Sequence, residues 1–156
     1  MGSWVYAKEC RKQNEKIVSM LSLETIGYYS EKEGSQSYPR PFGWFYPSMG
    51  NFISFVGNVK SRSLVRAVVG SFRRLAQFPS EAGAVPGFVP GVGWSDHWSF
   101  WQEGYPAIMV TDTAPFRYPH YHQATDTPDK VDYERMARVM TGLTRTIREM
   151  AGCVLP

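Results

Sequence analysis

The sequence has 3 histidines in 156 residues, and two of them stand together in His120-Tyr121-His122, just ahead of Thr125-Asp126-Thr127-Pro128. Residues i and i+2 of an extended segment point to opposite sides, so such a pair seldom serves one ion. One of the two reads as a metal ligand and the other as its neighbour or as exposed. A hydrogen-bonding surface histidine is the plainer reading for either. Asp126, four residues after His122, is placed to orient its imidazole, as metal-bound histidines usually require. Glu24 follows Leu21-Ser22-Leu23 directly. A carboxylate at a strand terminus facing a crevice can bind a metal or position a substrate, although a capping or solvated Glu has the same spacing. Ser95-Asp96-His97 has the residue types of a serine triad, but contiguous residues cannot converge as triad groups must. Phosphate-binding glycine loops, GxSxG elbows, HExxH, His-x-Asp and adjacent Glu-Glu are all missing from the sequence.

These residues need elements to hold them. Residues 3–14 are polar with helical spacing. Lys16–Leu23 is apolar and rich in β-branched residues, and reads as a buried strand that delivers Glu24 at its end. Residues 31–50 form a long loop rich in turn residues and aromatics (Tyr38, Phe42, Trp44, Phe45, Tyr46), of the kind that lines or covers a cleft. A second strand is expected at Phe52–Val56 and a helix at 61–77. Residues 78–94, with three Pro, four Gly and no periodicity, read as loop. Ser95 is expected to cap a short helix over Asp96–Glu103, and Pro106–Thr111 is a third strand. Thr127 caps and Pro128 opens the last helix, with an apolar stripe of Val131, Met136, Val139, Met140, Leu143, Ile147 and Met150. Strands alternating with helices imply an α/β layered sheet. Ligands of such sheets sit beyond the carboxyl ends of the strands, which directs attention to Glu24 and to the Asp112–Asp126 loop.

Composition bounds the function. With 43% hydrophobic, 20% charged and 15% aromatic residues, the chain is globular rather than disordered or fibrous. No apolar run approaches the roughly 18 residues of a membrane span. Trp4-Val5-Tyr6-Ala7 is too short for the core of a signal peptide, so the sequence reads as soluble. Residues 1–78 carry 11 Lys/Arg against 5 Asp/Glu, and residues 79–156 carry 6 against 9. The densest basic stretch, Arg62, Arg66, Arg73 and Arg74, shares a helix with an apolar face and reads as a solvated surface, not a nucleic-acid stripe. Cys10 and Cys153 lie at opposite ends, which leaves their pairing open and rules out a cysteine-rich zinc site.

The ordered set Ser22-Leu23-Glu24-Thr25-Ile26-Gly27, Ser95-Asp96-His97-Trp98-Ser99-Phe100, Glu103-Gly104-Tyr105-Pro106-Ala107 and Tyr121-His122-Gln123-Ala124-Thr125-Asp126-Thr127-Pro128-Asp129-Lys130 resembles the M28 family of zinc peptidases, aminopeptidase type. It covers about residues 16–150. The resemblance implies a three-layer αβα fold with a mixed, mostly parallel sheet. It also implies a site of two zinc ions at the strand ends, in which a separate Glu activates a metal-bound water against a peptide substrate. Carried over residue by residue, His122 matches the last histidine ligand. Glu24 stands where many members have an Asp ligand. Asp96 and His97 match a structural or substrate-side motif, and Asp126 and Tyr121 flank the ligand histidine. The family's first His-x-Asp, bridging Asp and Glu-Glu pair precede the strand that ends at Glu24. The resemblance therefore reads residues 1–156 as the C-terminal part of a larger catalytic domain, with part of the metal site and neither the base nor the bridge. Two further readings stay open: a glutaminyl-cyclase-like acyltransferase in which Asp96 moves a proton, and a non-catalytic remnant used for binding or assembly.

Overall fold

A computed structural model describes residues 1–153 of the chain. Helix α1 spans Gly2–Lys12, strand β1 Met20–Glu24, β2 Ile53–Gly57, helix α2 Arg62–Ala76, β3 Ser80–Ala84, α3 His97–Gln102, β4 Ala107–Thr111, α4 Ala114–Arg117 and α5 Tyr133–Met150. The strands form one mixed sheet in the order β1-β4-β2-β3. β1 runs parallel to β4 and β2 parallel to β3, while β2 and β4 are antiparallel.

Strand alternation sends neighbouring residues to opposite faces. On one face Ile53, Phe55, Ile108 and Val110 are fully buried against Val65, Val68 and Phe72 of α2 and Val139 and Leu143 of α5. These two helices touch closely: a Cβ on Gly142 would lie 2.4 Å from the Ala76 Cβ and 2.7 Å from the Phe72 ring. The other face is only partly helical. There α1 and α3 cover the start of β4 through Ala7, Cys10, Phe100 and Tyr105 around Ala107. Trp4 ties the two helices together, with Nε1 donating to Glu103 Oε1 at 2.9 Å and its ring set edge-on to Trp98. Loops roof the rest of that face. The result is the expected layered α/β arrangement.

Several local expectations change. β3 falls inside the stretch read as loop: Ser-Glu-Ala-Gly-Ala has little intrinsic strand preference and is extended because β2 pairs with it. β1 begins at Met20, where its pairing with Ala107 begins, and Val18 before it is exposed. Ser95 does not cap α3; its hydroxyl is buried and pairs with Ser22 Oγ at 2.7 Å, and Asp96 stands at the cap position without a side-chain cap. Pro128 opens only a 3-10 turn, Pro128–Lys130. The chain then extends at Val131, whose methyl packs beside Gly27, and the Asp132 amide donates to Gly27 O at 2.8 Å. The Asp132 side chain caps α5 instead of Thr127, accepting from the Arg135 amide at 2.9 Å. Of the stripe on α5, Val139 and Leu143 are buried while Met140, Ile147 and Met150 are exposed, because the close approach at Gly142 sets which face meets α2. The four arginines of α2 are exposed as expected. Cys10 is buried, Cys153 is exposed, and both are free thiols. Among the described residues no helix is long and apolar enough to cross a membrane.

Candidate functional site

The carboxyl ends of β1 and β4 lie side by side, with Glu24 in register with Thr111. Two segments leave this point together, Thr25–Tyr28 and Asp112–Thr113, and one buried residue holds them. Asp112 is 1% exposed. Its Oδ2 accepts from the Gly27 amide at 2.9 Å and the Tyr28 amide at 2.8 Å, and its own amide donates to Thr25 O at 2.8 Å. Its Oδ1 is buried without a partner among the described residues. Burial pushes the Asp112 carboxyl above its ordinary range, against the pull of the two amides, the Thr25 hydroxyl and Arg117.

Arg117 grips the same loop from below. It is buried, and its Nη1 donates to Tyr28 O at 3.3 Å and to Phe52 O at 2.9 Å. Its Nε donates to Gln36 Oε1 at 2.8 Å, which also accepts from the Thr113 hydroxyl at 3.0 Å. Burial brings this guanidinium down to about 10, with Asp112 opposing. The Tyr28 backbone is therefore held at both its N–H and its C=O by buried ionisable groups. Charge-assisted hydrogen bonds of this kind are the strong ones.

The backbone here is strained. Thr25, Thr113 and His122 have φ of 48°, 62° and 57°. Left-handed conformations are rare for residues other than glycine, most of all β-branched ones, and they tend to collect at functional sites. Three of the five such residues in the described chain directly follow Glu24, directly follow Asp112, or are His122 itself.

Two clefts meet at Glu24 and Tyr121, which line both. The first, of about 900 Å³ with its open mouth included, is walled by Glu24, Asp112, Tyr121, His122 and Asp126 among others. His120 does not line it, and its Nδ1 is 2.8 Å from Thr125 Oγ1; the segment is a turn rather than the extended stretch expected, so the left-handed His122 and not strand alternation separates the two rings. The His122 ring stacks on Tyr121 with centroids 3.9 Å apart. Asp126 does not orient His122 through a hydrogen bond, since its Oδ1 accepts from the Tyr118 hydroxyl at 2.6 Å. That bond helps to hold Tyr118 against Tyr28 on the gripped loop, with ring centroids 4.6 Å apart.

The second cleft, of about 890 Å³ measured the same way, runs along the loop-covered face of the sheet. Its floor includes Ser54, Val56, Met109 and Thr111, and its roof includes Tyr38, Phe42 and Tyr46 from the aromatic loop. That loop thus lines the cleft as its composition implied, although Trp44 and Phe45 face outward. Glu81 of β3 also faces this cleft.

Asp96 and His97 contribute to neither cleft. His97 is fully buried beneath Trp101, with Nε2 2.7 Å from Val92 O and Nδ1 unpartnered. Burial lowers its proton affinity, so it packs as a neutral core histidine that pins the 85–94 loop. Asp96 is exposed beside it.

The sequence reading named Glu24, Tyr121, His122 and Asp126, which line one cleft; it pointed to the Asp112–Asp126 loop without giving Asp112 or Arg117 a role, and it missed Glu81. Asp112 was open to discovery, because it follows a strand directly, as Glu24 ends one. Arg117 looked like any loop arginine, and Glu81 was hidden by the misread strand.

As metal donors, the Glu24 carboxylate and the His122 imidazole face one cleft, and neither side chain takes part in a hydrogen bond among the described residues. Among these residues no three His, Cys, Asp or Glu side chains gather closely enough to hold an ion by themselves. The donors fit part of a zinc site.

The fold is similar to part of the LapA aminopeptidase of Legionella pneumophila, with a TM-score of 0.71 at 17% identity over 99% of this chain and 37% of that one. An aminopeptidase from Aneurinibacillus sp. strain AM-1 superposes with a TM-score of 0.59 at 22% identity, over 95% of this chain and 29% of that one. YfbL of Escherichia coli strain K12 is 40% identical over 144 residues, which are 92% of this chain and 44% of YfbL. The chain thus spans less than half the length of the relatives it matches. The pattern of peptidase family M28 matches residues 1–147, and the chain belongs to that family.

Proposed function

We propose that this chain supplies part of the active site of a zinc-dependent exopeptidase of the aminopeptidase type. The observation that carries the reading is that Glu24 and His122, two donors without hydrogen-bond partners, line one cleft, Glu24 at its junction with the second, with left-handed backbone at Thr25 and at His122. Glu24 and His122 would hold zinc together with donors from polypeptide outside these 156 residues, which would also supply the catalytic base. A bound zinc ion supplies Lewis-acid polarisation of a peptide carbonyl and a water of lowered pKa.

The chain's own residues do the positioning. Asp112 and Arg117 fix the loop that leaves Glu24, so the carboxylate stands on a rigid strand end. Tyr121 packs on the His122 ring and limits its rotation. The peptide extends from this junction, with the adjoining second cleft available to a substrate side chain. Asp96, exposed and outside both clefts, lends no support to a cyclase-type proton shuttle.

Zinc content tests the reading. In the natural gene product, His122→Ala is expected to lower bound zinc while the circular dichroism spectrum stays native, and His120→Ala to leave zinc unchanged. Full zinc stoichiometry in His122→Ala would remove the assignment. The 156-residue chain alone is expected not to hydrolyse aminoacyl-nitroanilides.

A further inference from the structure

The second cleft holds a carboxylate that the proposed hydrolysis leaves without a task. Glu24 is in register with Thr111, Thr111 with Ser54, and Ser54 with Glu81. The four residues form one row across the sheet, and all four line the cleft. Adjacent strands lie about 4.8 Å apart, so three steps place Glu81 roughly 14 Å along the row from Glu24. Between them the row carries only the Thr111 and Ser54 hydroxyls, flanked by Val56 and Met109 on the floor, with Tyr38, Phe42 and Tyr46 above.

Glu81 forms no ion pair among the described residues. Arg73, the cation whose charge reaches it, directs its guanidinium to Ser80 Oγ and Ser80 O. The nearby phenols are committed elsewhere, Tyr46 donating to Ala82 O and Tyr38 to Pro47 O. Their rings stack with centroids 5.7 Å apart and form part of the roof. A partly buried carboxylate in such surroundings has no bonded counter-charge, only the more distant Arg73, and its proton affinity is raised by burial. An apolar side chain entering the cleft would desolvate it further and leave it unpaired. A cation would pair with the carboxylate and lie against aromatic faces.

We propose that this cleft seats a lysine or arginine side chain of the bound peptide, with Glu81 as the residue that selects it. The inference rests on the peptidase reading of the Glu24–His122 cleft, which puts the substrate backbone at the near end of the row. Lysine and arginine alone join a long aliphatic stem, suited to Val56 and Met109, to a permanent cation able to reach the far end.

The test uses the zinc-loaded natural gene product and the 4-nitroanilides of lysine, arginine, norleucine and phenylalanine. Norleucine keeps the straight aliphatic stem of lysine and lacks the ammonium. The expected kcat/KM favours lysine and arginine over norleucine by about tenfold or more, the worth of one desolvated charge-assisted contact. In Glu81→Gln that ratio falls about tenfold, and Glu81→Asp keeps part of it. A wild-type preference for norleucine or phenylalanine overturns the proposal, as does a ratio unmoved by Glu81→Gln; either result leaves the peptidase reading standing. Calorimetric binding of lysinamide against norleucinamide separates the two claims. Lysinamide preference that depends on Glu81, without turnover of any substrate, keeps the cleft assignment and rejects the peptidase. Absence of both turnover and lysinamide preference overturns both.

Discussion

The two faces of this sheet are made by the same four strands and are built in opposite ways. The face toward α2 and α5 is a closed apolar layer of Phe55, Ile108, Val110, Phe72, Val139 and Leu143. The face toward the loops carries the row Glu24, Thr111, Ser54 and Glu81 and an open cleft. Helices can seal an apolar face because their stripes repeat every three to four residues and interdigitate with the strands. Loops have no such period, so the side chains beneath them need polar partners or remain available to a ligand. Strand alternation thus sends the larger apolar core to one face and the open cleft to the other.

The comparison breaks most easily on the helical face. Phe72 is fully buried at the α2–α5 contact. Phe72→Ala is expected to cost about 3–5 kcal/mol, since it removes a large apolar side chain and leaves a cavity. Denaturant unfolding should show one cooperative loss with both faces melting together. Two separate transitions would mean that the loop-covered face has its own stability.

On the other face the expected effect is smaller and more local. Asp112→Ala leaves the Gly27 and Tyr28 amides without their acceptor and is expected to cost roughly 2–3 kcal/mol. The loss should appear as faster hydrogen exchange at Gly27 and Tyr28, with little change at Val65 to Phe72. Asp112→Asn, which keeps a carbonyl oxygen for both amides, should restore most of the protection. Equal exchange in wild type and Asp112→Ala would show that Arg117 alone holds the loop.

The smallest effect concerns pH. Burial lowers the pKa of His97 from 6.5, so the folded chain keeps it neutral while the unfolded chain takes up a proton more readily. Its contribution to stability is therefore complete above the unfolded pKa and is lost as the pH falls below about 6.5. Melting temperatures measured from pH 8 to pH 5 should decline more for wild type than for His97→Gln. Parallel declines would remove His97 as the cause.

The parts of the fold that were legible are those with a strong local signal. α2 and the β2 and β4 strands carry apolar patterns at their own periods, and their ends lie within a residue or two of those expected. The strand-end rule and the family resemblance led to Glu24 and His122. β3 was illegible because Ser-Glu-Ala-Gly-Ala owes its extended form to β2, a partner more than twenty residues away. The start of α5 moved past Pro128 for a similar reason, since Gly27 O claims the Asp132 amide and the Val131 side chain packs at Gly27.

By itself the sequence determined the fold class, through the periods of its elements, and, through motifs that resemble a known family, the peptidase family and the candidate donors. Only the tertiary structure decided which polar groups meet. It committed Asp126 to Tyr118, enclosed His97 in the core, and placed Asp112 and Arg117 on either side of the Tyr28 backbone. It also aligned Glu24 with Glu81 across four strands. Register between strands distant in sequence is set by pairing and burial over the whole sheet, and no local pattern of residues encodes it.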